Sequence, residues 1–125
     1  MSSHFAIDFL KIAKCRAHCF TDDALITAIG NDIGFDEIFS LPLQALLNDK
    51  DLLIAISRSG NSPNIIKVVK MAKSKKCTTV SLSQMGENNQ LRLLGDLNFY
   101  VPAKTYGHAE TAHQLLLHCW LDKYM

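Results

Sequence analysis

The residues most suited to chemistry form one short run, Ser57-Arg58-Ser59-Gly60-Asn61-Ser62-Pro63-Asn64. Ser57, Ser59 and Ser62 offer short hydroxyl donors that can ring a phosphate without a bulky cation. Gly60 permits a positive φ or a close approach of backbone to ligand. Ser62 is a good helix N-cap and Pro63 suits the first helical position, so a helix should start here with free N–H groups and a partial positive charge facing the run. Such a helix start binds anions. The expected chemistry is capture of a phosphate ester, with Arg58 adding charge at the rim. The plain alternative is a polar turn that caps a helix. Neither G-x-x-x-x-G-K-[ST] nor G-x-G-x-x-G occurs, which disfavours a nucleoside triphosphate or a dinucleotide.

The run needs a strand before it and a helix after it. Leu52-Leu53-Ile54-Ala55-Ile56 is a continuous apolar stretch, the pattern of a strand buried on both faces and hence of a parallel sheet. Ile65, Ile66, Val68, Val69 and Ala72 recur at helical spacing up to Lys76, and Thr78-Thr79-Val80-Ser81-Leu82 restores strand character. The unit reads as βαβ, with the loop at the carboxyl end of its first strand, where open α/β sheets collect ligands. A turn containing Gly86, Asn88 and Asn89 leads to a short helix at Leu91 to Leu94. Leu97-Asn98-Phe99-Tyr100-Val101 reads as a strand closed by Pro102, and a last helix should run from about His108 to Tyr124. Upstream, Phe5 to Ala13 is helical in pattern and Arg16-Ala17-His18-Cys19-Phe20 reads as a strand. Thr21 or Asp22 would cap a helix at Ala24 to Ile29, and Phe35 to Leu47 reads as a helix interrupted by Pro42. The fold expected is α/β, a three-layer doubly wound parallel sheet formed by one domain over residues 1–125.

Composition excludes several functions. Thirteen basic and 12 acidic side chains give a formal net charge of +1, so no global field draws the chain to nucleic acid or anionic lipid. The run Lys67, Lys70, Lys73, Lys75, Lys76 reads as a solvated helix face. No apolar stretch reaches the ~20 residues that span a bilayer, and no secretory signal opens the sequence, so a cytoplasmic protein is expected. Cys15, Cys19, Cys77 and Cys119 lack paired spacing and read as core thiols, not as a zinc site.

Ile56 to Asn64 resembles the signature loop of sugar isomerase (SIS) domains, in particular the phosphoheptose isomerase branch. Thr27-Ala28-Ile29-Gly30-Asn31-Asp32-Ile33-Gly34-Phe35 with Ile38-Phe39-Ser40, His4-Phe5-Ala6, and Glu110-x-x-His113-x-x-x-x-His118 are similar to further patterns of that family. The resemblance covers nearly the whole chain. It implies a flavodoxin-like or Rossmann-like topology, phosphate held by Ser57, Ser59 and Ser62 with Asn61 beside them as a substrate-binding residue, and Asp32 facing the sugar. In the family a His, a Glu, a Gln and a His surround a metal and the reacting carbons; those positions map to His4, Asp8, Glu110 and His118, two of them substituted. The family also carries a helical region, a first strand and an N-G-G-S type loop ahead of its His-Phe-Ala helix, and the chain is expected to be shortened by these, leaving a sheet edge open.

The four mapped positions make a two-helix site feasible. His4 and Asp8 at i and i+4 share a face, and Glu110 and His118 lie about a quarter turn apart. Two imidazoles and two carboxylates suit zinc or another divalent ion, and Asp8, Glu110 and His118 suit the transfer of a proton from C2 to C1 of a sugar phosphate. His113 falls about 140° around the helix from His118 and reads as an interface or structural residue. Leu115, Leu116, Leu117, Trp120 and Leu121 make the last helix apolar enough to bury against a partner, so a homodimer or homotetramer is expected. Two functions fit: an aldose–ketose isomerase of the phosphoheptose type, or a non-catalytic phosphosugar sensor or interaction scaffold.

Overall fold

A computed structural model describes all 125 residues. Helix α1 spans Ser2–Lys11, α2 spans Asp23–Asp32, and a 3₁₀ turn at Phe35–Glu37 precedes α3 at Ser40–Leu46. Then strands and helices alternate: β1 Leu52–Ser57, α4 Pro63–Ser74, β2 Thr78–Ser83, α5 Gln90–Leu94, β3 Leu97–Tyr100 and α6 Tyr106–Tyr124. The strands form a parallel sheet in the order β1-β2-β3, with Ile54 opposite Val80 and Val80 opposite Leu97.

The strand pleat sorts side chains into two cores, because successive residues point to opposite faces. Ala55 and half-buried Leu53 pack with Leu43, Ile66, Val68, Val69 and Leu91 on the side of α3, α4 and α5. Ile54, Ile56, Val80, Leu82 and Phe99 pack with Leu117, Trp120 and Phe5 on the side of α1 and α6. The result is the expected three-layer α/β arrangement. Burying Leu82, fully removed from water, contributes roughly 2 kcal/mol.

Caps follow the sequence signals. The Asp22 carboxylate accepts from the Leu25 N–H at 2.9 Å, and the Thr105 hydroxyl accepts from the His108 N–H at 3.4 Å, starting α6 before the expected His108. Three expectations need correction. Arg16 to Phe20 is not a strand: its side chains alternate between exposed and half-buried, but its backbone pairs with no strand. Phe35 to Leu47 is broken before Pro42, not at it; Pro42 sits in the first turn of α3, where a missing N–H costs nothing. Finally, of the four cysteines only Cys77 is fully buried, and Cys119 is exposed.

At the amino-terminal end of the sheet a latch joins β2, β3 and α4. Asp96 accepts from the Thr79 N–H and hydroxyl, each at 2.8 Å, and from the Lys73 ammonium at 2.7 Å. The Lys73 bond first, then those from Thr79, hold its carboxyl down at about 2.

Candidate functional site

The run from Ser57 to Asn64 turns sharply between β1 and α4. Gly60 has φ of +66°, and its N–H donates to both the carbonyl and the hydroxyl of Ser57, at 3.1 and 3.2 Å. A Cβ here would stand 2.1 Å from the Asn89 side-chain oxygen, so both the conformation and the close approach require glycine. Asn89 is itself buried, donating to Ser83 Oγ at 3.0 Å and accepting from the Arg92 N–H. The Gly60 carbonyl accepts from Leu91 N–H at 2.9 Å, and the Asn61 side-chain oxygen accepts from Gln90 N–H at 3.1 Å. The turn is thus fastened to α5 as well as to α4.

Ser57, Ser59 and Ser62 bring their hydroxyl oxygens within 3.2 to 3.4 Å of one another. Ser62 is the N-cap of α4 and Pro63 its first residue, yet the Ser62 hydroxyl caps no helix N–H. The amide N–H groups of Ser59, Ser62 and Asn64 make no hydrogen bond within the chain. Three hydroxyls and several free amides at the start of a 12-residue helix form a donor cluster that complements an anion. The Ser57 and Ser59 hydroxyls also accept from the Gly60 and Asn61 N–H groups, each at 3.2 Å, and so serve the turn as well; the Ser62 hydroxyl, which caps nothing, is the one a polar turn leaves unexplained.

Arg58 leaves the strand toward the opposite face. Its carbonyl accepts from Gln84 and Met85 N–H, at 3.1 and 2.9 Å. Its guanidinium lies 3.1 Å above the centre of the Tyr106 ring, and its Nε is shielded from water without a hydrogen-bond partner. A cavity of about 380 Å³ beside it is lined by Met1, Ser2, Ile56, Arg58, Glu110 and His113. His113 is 2% exposed, its Nε2 lies 3.3 Å from the Ser83 carbonyl oxygen, and burial pushes its pKa down.

The remaining candidates divide. Asp8 is buried, with Oδ2 3.4 Å from exposed His4 Nε2 and Oδ1 3.8 Å from Lys11 Nζ. The rings of His4 and His118 meet edge to face at 6.0 Å, bringing α1 and α6 together. Glu110 stands apart: eight residues before His118, it is about 12 Å away along the helix axis and borders the Arg58 cavity. Asp32 is exposed at the end of α2, accepting only from Asn31 at 2.9 Å. No group of three or more His, Cys, Asp or Glu within the chain is arranged to hold a metal ion. Sequence reasoning missed the Arg58 and Tyr106 stack and the clasp of Asn89 on Gly60. Both join residues far apart in sequence, and only the glycine itself signalled a tight approach.

A family model described as SIS domain matches residues 6–84. A phosphoheptose isomerase from Solidesulfovibrio magneticus is 40% identical over 98 residues, covering 78% of this chain and 47% of that protein. One from Shewanella loihica is 41% identical over 104 residues, covering 82% and 53%. The chain therefore spans about half the length of the curated relatives it matches. Among solved structures, a phosphoheptose isomerase from Neisseria gonorrhoeae superposes with a TM-score of 0.91 at 32% identity, covering 99% of this chain and 69% of that one. One from Francisella tularensis gives 0.89 at 31% identity, covering 98% and 67%.

Proposed function

This chain belongs to the SIS domain family, and we propose that it binds a sugar phosphate and interconverts its aldose and ketose forms, as a phosphoheptose isomerase does. The observation that carries the reading is the cluster of Ser57, Ser59 and Ser62 hydroxyls beside unbonded amides at the head of α4. Held there by its phosphate, with Asn61 beside it, an open-chain sugar such as sedoheptulose 7-phosphate would extend toward α1 and α6.

Isomerisation needs a group that takes a proton from C2 and returns it to C1. Asp8 is the best placed carboxylate: it is buried, and His4 beside it can orient it. Asp is one methylene shorter than Glu, so Asp8 acts close to the sugar or through a water. His118, stacked edge to face on His4, can serve the sugar oxygens, and Glu110 and Asp32 bind hydroxyls. A zinc ion held by His4, Asp8, Glu110 and His118 would polarise the sugar carbonyl; no step here depends on it.

We further propose one domain acting in the cytoplasm as a homodimer or homotetramer. Ile7 and Leu10 on α1 and Leu115 on α6 are each more than half exposed, an apolar surface suited to a second copy. The separation of Glu110 from His118 favours the alternative, a non-catalytic sensor or scaffold.

Incubation with sedoheptulose 7-phosphate in deuterated water, followed by proton NMR, separates the two. The isomerase incorporates deuterium at the carbon that exchanges. Thermal stabilisation by the sugar phosphate without exchange establishes the sensor, and neither effect overturns both readings.

A further inference from the structure

The face of β1 opposite the hydroxyl cluster carries an arrangement that phosphate capture does not use. Ser57 turns toward α4, so by the strand alternation Arg58 and Ile56 turn toward α6. The Arg58 guanidinium carbon sits 3.1 Å over the centre of the Tyr106 ring, one helical turn before Glu110, with its Nε out of water and unbonded. It borders the same cavity as Glu110 and His113. Burial holds the His113 imidazole toward its neutral form, so the guanidinium and the Glu110 carboxylate are the charged side chains on this cavity wall. A planar donor fork and a carboxylate acceptor lining one cavity match adjacent hydroxyl and carbonyl oxygens. It suits a second phosphate less well, because Glu110 would repel it.

Resting on the phosphosugar reading above, we infer that Arg58, seated on Tyr106, is a specificity-determining residue that hydrogen-bonds the polyhydroxyl carbon chain of the substrate, on the side of the sheet away from its phosphate. Tyr106 is a positioning residue: it fixes the plane of the guanidinium and hence the direction of its donors.

The test measures dissociation constants by calorimetry for two probes, inorganic phosphate and sedoheptulose 7-phosphate, on the full chain and its variants. Arg58→Met is expected to weaken the sugar phosphate tenfold or more while inorganic phosphate stays within twofold. Arg58→Lys restores part of the loss, because a single ammonium replaces the fork. Tyr106→Ala keeps the charge but frees it, giving the same pattern at lower amplitude, and serves if Arg58→Met fails to fold. Equal losses for both probes would place Arg58 in the phosphate cradle and overturn the inference, as would no change for either. If the unsubstituted chain binds neither probe, it is the phosphosugar reading that has failed, and this one with it.

Discussion

Between Ser57 and Asn64 the groups of the proposed phosphate site lie in eight consecutive residues, and bonds to Gln90 and Leu91 hold the turn in place. His4, Asp8, Glu110 and His118 instead sit on helices from opposite ends of the chain. Those helices meet through the His4 and His118 rings and the Phe9 and Tyr124 rings at 5.7 Å, and just past α1 the Cys15 thiol donates to the Tyr124 hydroxyl at 3.0 Å. The loop's geometry is fixed by its own tight turn at Gly60 together with the bonds that fasten it to α5. That of the helix face depends on how two exposed helices dock. Binding should therefore survive changes that abolish reaction, and the converse should not occur.

The sharpest way to break this contrast is Asp8→Asn. Removing the carboxylate while keeping its shape is expected to lower turnover by about 10²- to 10⁴-fold, with thermal stabilisation by sedoheptulose 7-phosphate intact. Loss of both would show that the helix face also builds the binding site. Next is Gly60→Ala, which strains a left-handed residue and drives a methyl group into Asn89. Chemical denaturation should show a loss on the order of 3 kcal/mol, and stabilisation by phosphate esters should vanish with it. An unchanged midpoint would mean that the clasp to α5 is not what shapes the turn.

Smaller is Ser57→Ala combined with Ser59→Ala. Two hydroxyl donors are lost with no cavity larger than an oxygen atom, so the fold should remain within about 1–2 kcal/mol of the original. The ligand-induced rise in melting temperature, equivalent to about 2.7 kcal/mol at a hundredfold excess over Kd, should disappear. A rise that persists would leave the hydroxyls as mere turn formers.

Legibility in the sequence follows the same division. Leu52 to Ile56 and Thr78 to Leu82 announced a parallel sheet because burial on both faces leaves a continuous apolar or β-branched run. The start of α4 was equally plain from Ser62 and Pro63. Arg16 to Phe20 misled because alternation reports extended geometry, whereas a strand needs a partner, and partners are a property of the whole fold. The four helical positions were legible only in part: helical periodicity gives the angle around an axis and says little of the distance along it, which for Glu110 and His118 is about 12 Å. The Asp96 latch was invisible because its partners, Thr79 and Lys73, lie 17 and 23 residues away.

That latch provides the control for the contrast, since it stabilises the sheet at the end away from the ligand. Four groups shape the acid limb of stability: the Glu37 and Asp51 carboxyls, held low chiefly by the Lys67 bond and the Asn48 N–H respectively, and with them His113 and Asp96. His113 has its pKa lowered from 6.5 by burial. The unfolded chain therefore takes up its proton first, and stability declines as pH falls from about 6.5 toward the lowered value. Asp96 is depressed from 3.8 to about 2, chiefly by the Lys73 bond and then by Thr79. Its contribution is complete above pH 3.8 and is lost as pH falls through about 2. Asp96→Asn keeps an acceptor for Thr79 but removes the attraction of Lys73. Melting temperatures should then become flatter against pH between about 4 and 2, with the upper limb from His113 unchanged. At pH 7 the affinity for sedoheptulose 7-phosphate should stay within about twofold, because distant sites without shared partners act independently. A larger shift would mean that the two ends of the sheet are coupled, and that the loop depends on the whole fold as much as α1 and α6 do.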